Sequence, residues 1–124
     1  TVKGALKAKE AGANAIVVSN HGGRVLDQTL STAEVLGDIV DAVGKDMKVF
    51  VDGGIRSGVD IFKALALGAD AVMIARPFVT ALYGGKEKGI EIYLKKLVSE
   101  LEDTMKMCGA TSLKDITRDM IVRP

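Results

Sequence analysis

Ala15-Ile16-Val17-Val18-Ser19-Asn20-His21-Gly22-Gly23-Arg24 is the stretch on which the fold turns. Four apolar residues, 15–18, stop abruptly at small and polar ones, the pattern of a buried parallel strand delivering its last side chains to a working face. The chain's single histidine, His21, stands just beyond that run. Gly22 and Gly23 let the backbone turn tightly, and Arg24 follows. A titratable base and a fixed cation on one turn suit a small anionic substrate that must lose a proton. The same residues could equally form a solvated loop that happens to carry a histidine.

Working outward, apolar residues at helical spacing in 1–11 predict a helix ended by Gly12, and residues 15–19 predict the first strand. Ser31 with Glu34 is a capping-box signal for a second helix, with Val35, Leu36, Ile39, Val40 and Val43 on one face and Gly44 at its end. Residues 47–51 form the next apolar strand, and Ser57-Gly58 opens a third helix that Gly68 stops. A third strand is expected over 71–74, with Ala75-Arg76-Pro77 as its exit. An irregular stretch over 78–89 then leads to a long helix over 90–107. Its expected buried stripe is Leu94, Leu97, Val98, Leu101, Met105 and Cys108, with Cys108 read as a packing residue. A single helical turn is expected in 112–124.

Strands alternating with helices imply an α/β fold with parallel strands and right-handed crossovers. Gly12-Ala13-Asn14-Ala15-Ile16 and Gly68-Ala69-Asp70-Ala71-Val72 have the same form, a repeat that helix-to-strand connections alone explain. Three strands cannot close a barrel, and the first residues are already helix. The chain is therefore expected to be the C-terminal part of a larger fold, its open edges covered by a partner chain or another copy.

Composition narrows the function classes. At 124 residues the chain is one domain or part of one; its apolar content is 48% and aromatic content 4%, so the core is aliphatic. A net charge of +1 offers no argument for nucleic acid or an anionic membrane as partner. No apolar run approaches the roughly 20 residues of a membrane span, and no signal peptide is read at the start. The lone Cys108 fits a reducing cytoplasm.

Chemistry in a parallel α/β fold sits at the C-terminal ends of the strands. After the His21 turn comes Asp52-Gly53-Gly54-Ile55-Arg56-Ser57-Gly58, where glycines free backbone N–H groups for an anion and Arg56 can grip phosphate oxygens. Ala75-Arg76-Pro77 repeats the theme at the third strand end. Two arginines and exposed amides at adjacent strand ends describe a phosphate site. Each Gly-rich turn alone is ordinary turn chemistry; their recurrence in consecutive units carries the argument.

These turns, with Ala64-Leu65-Ala66-Leu67-Gly68-Ala69, resemble the FMN-dependent α-hydroxy acid oxidising family, which includes glycolate oxidase, lactate oxidase and flavin lactate dehydrogenase. The resemblance runs through nearly the whole chain. It implies the C-terminal part of a TIM (β/α)8 barrel, residues 1–124 supplying strands six to eight and their helices. It implies FMN as cofactor and oxidation of a small 2-hydroxy acid, of lactate or glycolate type, to the 2-oxo acid. By the same resemblance His21 would be the catalytic base and Arg24 the clamp on the substrate carboxylate. Ser19 would contact the flavin. Asp52, Gly53, Gly54, Ile55 and Arg56 would hold ribityl and phosphate, and Ala75 with Arg76 would complete the phosphate site.

Two departures stand against that pattern. Ala75 occupies a position where the family typically has glycine, and the family's flavin-contacting lysine, histidine-orienting carboxylate and substrate-binding tyrosines lie upstream of Thr1. Lys3 falls on a helix and reads as a solvated charge; Tyr83 and Tyr93 lie beyond the last strand and are not read as substrate ligands. Three readings result: part of an FMN-dependent 2-hydroxy acid oxidoreductase completed by a missing half-barrel, an FMN- or phosphate-binding half-barrel without turnover, or a stable fragment with only an interaction surface. Flavin-type isopentenyl-diphosphate isomerase and inosine monophosphate dehydrogenase share the Gly-rich stretches. They are not expected to carry a histidine and arginine three apart after strand six.

Overall fold

A computed structural model describes residues 1–122 of the chain. The elements run α1 (Val2–Glu10), β1 (Ala15–Val18), α2 (Thr32–Val43), β2 (Lys48–Val51), α3 (Gly58–Ala66), β3 (Ala71–Val72) and α4 (Arg76–Cys108). A 3-10 turn, His21–Gly23, follows β1, and two more, Leu113–Asp115 and Arg118–Met120, close the described chain. The sheet order is β1-β2-β3 and every pairing is parallel. The register sets Val18 beside Val51 and Val51 beside Val72, so the three strands end at one level.

Local chemistry explains the helix starts. Thr1 accepts the Gly4 N–H at the head of α1. Ser31 and Glu34 form the expected capping box on α2. Ser57 and Asp60 form a second box on α3, the same device built with the shorter acid. Gly68, at φ +101, turns the chain out of α3 in a left-handed conformation that disfavours other residues.

One core lies between the sheet and its helices: Val18, Val49 and Val51 from the strands meet Leu36, Ile39 and Val43 of α2, Ala5 of α1 and Ala64 of α3. Phe62 of α3, 2% exposed, centres a second cluster with Ala66, Ala110 and Ile116, flanked by Leu101, Met105, Met120 and Ile121. Burying a side chain of that size contributes about 1.5–3 kcal/mol. The Arg118 guanidinium fastens the tail by donating to both Asp41 carboxylate oxygens, at 2.9 and 2.8 Å, and to the Leu67 carbonyl at 3.1 Å.

The strands bury one face only. Burial alternates along β1 and β2, and Val17, paired with Phe50, is 45% exposed on the uncovered side. The continuous apolar run suggests burial on both faces; here the helices cover one face, as in a slice cut from a barrel wall.

Five further expectations are corrected. β3 is two residues long; Met73 still donates its N–H to Val51, but Ile74 lies beyond the ladder. Residues 78–89 are helical, because Pro77 sits in the first turn of α4, where its missing N–H costs nothing. The irregularity contracts to one break at Lys86, at φ 51 and ψ −139. Of the expected stripe on α4, Leu97 is buried and Leu101 and Met105 are half-buried, but Leu94 and Val98 are exposed because no described residue covers them. Cys108 is exposed rather than packed: it ends α4 on the solvent side just before left-handed Gly109. The tail makes two 3-10 turns instead of one helical turn; Arg123 and Pro124 fall outside the described residues.

Candidate active site at the strand ends

The register brings the three turns together. A cleft of about 290 Å³ is lined by His21, Gly22 and Arg24 from the first turn, residues 52–56 from the second, and Met73 to Pro77 from the third. Nine of the ten residues singled out in the sequence line it: His21, Arg24, Asp52, Gly53, Gly54, Ile55, Arg56, Ala75 and Arg76. Ser19 is the exception. It lines a larger apolar groove of about 630 Å³ along the free edge of β1, between α1 and the loop carrying Val25, Leu26 and Leu30. His21 borders both cavities.

The first turn is held by its own residues. Ser19 Oγ accepts the His21 N–H at 3.1 Å, and Asn20 Oδ1 accepts the Gly22 N–H at 2.9 Å. His21 itself adopts φ 51, followed by Gly22 at φ 65 and Gly23 at φ 75. A non-glycine residue at positive φ carries strain that the surroundings must hold, a feature that concentrates at functional sites. The Arg76 guanidinium reaches across from the third turn to Gly22, where a methyl would displace it. Among the described residues no side chain hydrogen-bonds the His21 imidazole.

The second turn is braced from outside. Gly53 and Gly54, at φ 91 and φ 81, aim their backbone along the cleft floor, and a methyl on Gly54 would meet open space. Thr32, buried at the head of α2, donates its hydroxyl to the Asp52 carbonyl at 2.6 Å. Tyr93 of α4 donates to the Arg56 carbonyl at 2.9 Å, and Glu100 of α4 accepts the Gly58 N–H at 2.9 Å. Asp60 takes the Arg56 N–H at 3.0 Å and the Ser57 hydroxyl at 2.8 Å. Partial burial works to raise the Asp60 carboxyl, but the Ser57 hydroxyl and the Arg56 and Ser57 N–H groups outweigh it and hold the group below its ordinary range. Thr32, Tyr93 and Glu100 were not legible as site residues, since each acts on a turn distant in sequence. Only the Ser57–Asp60 spacing offered a local signal.

The donor set fits a phosphorylated, hydroxylated cofactor. Asp52 Oδ1 is buried without a hydrogen-bond partner among the described residues, an acceptor that a ligand hydroxyl would satisfy. Arg56 and Arg76 supply fixed cations to the cleft, and no side chain caps the start of α4. Ala75, the residue before α4, adopts φ −114 and ψ −77, a backbone conformation that does not call for glycine. No group of three or more histidine, cysteine or acidic residues suited to a metal occurs among the described residues.

Parallel strands with a cleft at their carboxyl ends define an α/β protein of the kind that binds ligands there. The profile of the FMN-dependent dehydrogenase family matches residues 1–123, and the chain belongs to that family. It is 47% identical over 126 residues to an L-lactate oxidase of Roseobacter sp. (strain GAI101), covering 97% of this chain and 34% of that protein. It is 46% identical over 121 residues to a peroxisomal (S)-2-hydroxyacid oxidase of Arabidopsis thaliana, covering 98% of this chain and 33% of that protein. A crystal structure of mandelate oxidase with benzoyl-formic acid superposes with a TM-score of 0.91 at 47% identity, over 95% of this chain and 35% of that one. The chain thus spans about a third of the length of the curated relatives it matches. Its fold is a three-stranded α/β portion of a TIM (β/α)8 barrel, and the family's cofactor is FMN. No helix among the described residues is long and apolar enough to cross a membrane.

Proposed function

We propose that this chain supplies the base, the carboxylate clamp and the cofactor phosphate site of an FMN-dependent enzyme that oxidises a small 2-hydroxy acid to the 2-oxo acid. The observation that carries this reading is the cleft in which His21 and Arg24 stand beside Arg56 and Arg76. His21 takes a proton from the substrate, its position at the rim of both cavities giving it access from the substrate side. Arg24 pairs with the substrate carboxylate. Asp52 Oδ1, Gly53, Gly54 and Ile55 would hold the ribityl chain, Arg56, Ala75 and Arg76 the phosphate, and Ser19 would meet the flavin from the neighbouring groove. Bound there, FMN supplies the two-electron acceptor for the oxidation. L-lactate oxidase, (S)-2-hydroxyacid oxidase and mandelate oxidase among the relatives support a 2-hydroxy acid as substrate.

In this reading residues 1–124 are strands six to eight of the barrel with their helices. The uncovered face at Val17 and the exposed Val25, Leu26 and Leu30 along β1 meet the remaining half-barrel or a second copy. A cytoplasmic setting belongs to the same proposal, supported by one exposed free thiol, Cys108. A second reading has one observation in its favour. The His21 imidazole lacks a described orienting partner, so the chain by itself would bind flavin without turnover. An absorption spectrum decides between them: the intact protein should be yellow, and anaerobic lactate or glycolate should bleach it. Bound flavin that never bleaches leaves the second reading; a colourless protein that takes up no FMN sinks both. Arg24→Met should raise KM far more than it lowers kcat, the mark of a lost carboxylate contact.

A further inference from the structure

Two polar tethers, Tyr93 to the Arg56 carbonyl and Glu100 to the Gly58 N–H, connect α4 to the end of the Arg56 turn. The Tyr93 hydroxyl donates to the Arg56 carbonyl at 2.9 Å, while its ring meets Phe78 edge-on, centroids 5.0 Å apart and planes 75° apart. Phe78 lies two residues beyond Arg76. One side chain therefore bonds the Arg56 carbonyl with its polar end and packs its apolar body on Phe78, in the turn of helix that opens at Arg76. The break at Lys86 makes this possible, because Phe78 precedes it and Tyr93 follows it within the same element. Close approach of the two halves is visible at Gly89, where a methyl would run into the Ala81 carbonyl. With Asp60 holding the Arg56 N–H, both backbone polar groups of Arg56 are engaged, and its guanidinium starts from a fixed point. Burial raises the Tyr93 phenol above its ordinary value, so the group remains a donor.

Resting on the FMN reading above, we infer that Tyr93 is a positioning residue that holds the Arg56 and Arg76 turns at a fixed separation, so that together they grip the cofactor phosphate. It touches neither cofactor nor substrate. Its effect falls on the phosphate end, since it is Arg56 whose carbonyl it holds, whereas Asp52 to Ile55 hold the ribityl chain and Ser19 meets the flavin from the neighbouring groove. FMN and riboflavin, which differ by the phosphate, separate this role from general support of the fold.

The experiment titrates flavin-free intact protein with FMN and with riboflavin, following quenching of flavin fluorescence. Tyr93→Phe, which keeps the ring against Phe78 and removes only the hydroxyl, should weaken FMN roughly threefold to tenfold and leave riboflavin unchanged. Phe78→Leu, which keeps the hydroxyl bond, should shift the same ratio in the same direction. An unchanged FMN-to-riboflavin ratio in both variants overturns the inference, including the case where the two ligands weaken equally or the melting temperature alone falls. If the unsubstituted protein shows no preference for FMN over riboflavin, the phosphate site itself is wrongly placed and the inference falls with it. A normal preference that the variants do not alter leaves the function standing and removes only the role of Tyr93.

Discussion

The turns after β1 and β2 are built from similar residues and held in opposite ways. Each leaves a strand at a polar side chain and passes through two glycines at positive φ before an arginine. The β1 turn is closed by its own Ser19 and Asn20, with partners two residues away. The β2 turn is gripped by Thr32 from α2 and by Tyr93 and Glu100 from α4, with partners 20 to 42 residues away. The strain differs too. In the β2 turn positive φ falls on glycines, whereas in the β1 turn it extends to His21 itself. In the roles proposed above, the β2 turn anchors a cofactor phosphate and gains from rigid bracing, while the β1 turn presents a base, and local bonds leave its outer side free.

The sharpest way to break that contrast is His21→Ala. It should lower turnover about a hundredfold to ten-thousandfold, as loss of a general base does, while flavin stays bound and the melting temperature barely moves. Loss of flavin in this variant would show that the β1 turn is structural after all. Next in size is Gly58→Val, at the first residue of α3. Any side chain there runs into the α4 backbone at Glu100 and Leu101, and overpacking costs about 1–3 kcal/mol in a denaturant titration. A neutral result would mean that α4 does not brace the β2 turn. Thr32→Val keeps shape and burial but removes the hydroxyl from the Asp52 carbonyl, with an expected loss of about 1–2 kcal/mol.

Acid provides a finer probe of the braced turn. Asp60 is held below its ordinary value of 3.8 in the folded chain. A depressed carboxyl lends stability in full above that ordinary value and loses it as pH falls through the folded value. Melting temperatures followed from about pH 6 to about pH 3 should therefore drop less steeply in Asp60→Asn than in the parent. Parallel curves would remove Asp60 from the account. The smallest effect is expected at Lys86→Gly, where relief of a left-handed backbone is largely offset by glycine's added chain entropy, leaving a gain of roughly 1 kcal/mol or less.

Much of the fold was legible because its signals are local. Ser31 with Glu34, the glycines at 12 and 68, and the apolar runs of β1 and β2 each act within a few residues of themselves. The errors have physical causes. Residues 78–89 look irregular because Gly84 and Gly85 interrupt the pattern, yet Pro77 starts a helix that runs up to them. Cys108 continues the apolar spacing of α4, but spacing identifies a face and not what lies opposite it. The site residues at the strand tips could be named from their turns. Their braces could not, because Thr32 is an unremarkable helix-start threonine and Tyr93 an ordinary helical tyrosine until the chain folds.

The amino-acid sequence by itself determined the alternation of strand and helix, the Ser31–Glu34 capping box and which chemical groups stand at each strand end. These follow from sterics and periodicity over a few residues. Only the tertiary structure decided that Arg76 lies against Gly22, that Thr32 supports Asp52 and that Tyr93 meets both the Arg56 carbonyl and the Phe78 ring. Those meetings depend on the parallel register that ends Val18, Val51 and Val72 at one level, and on the break at Lys86 that folds α4 back on itself. A register is a relation between distant segments, set by the packing of the whole core and by no single stretch within it.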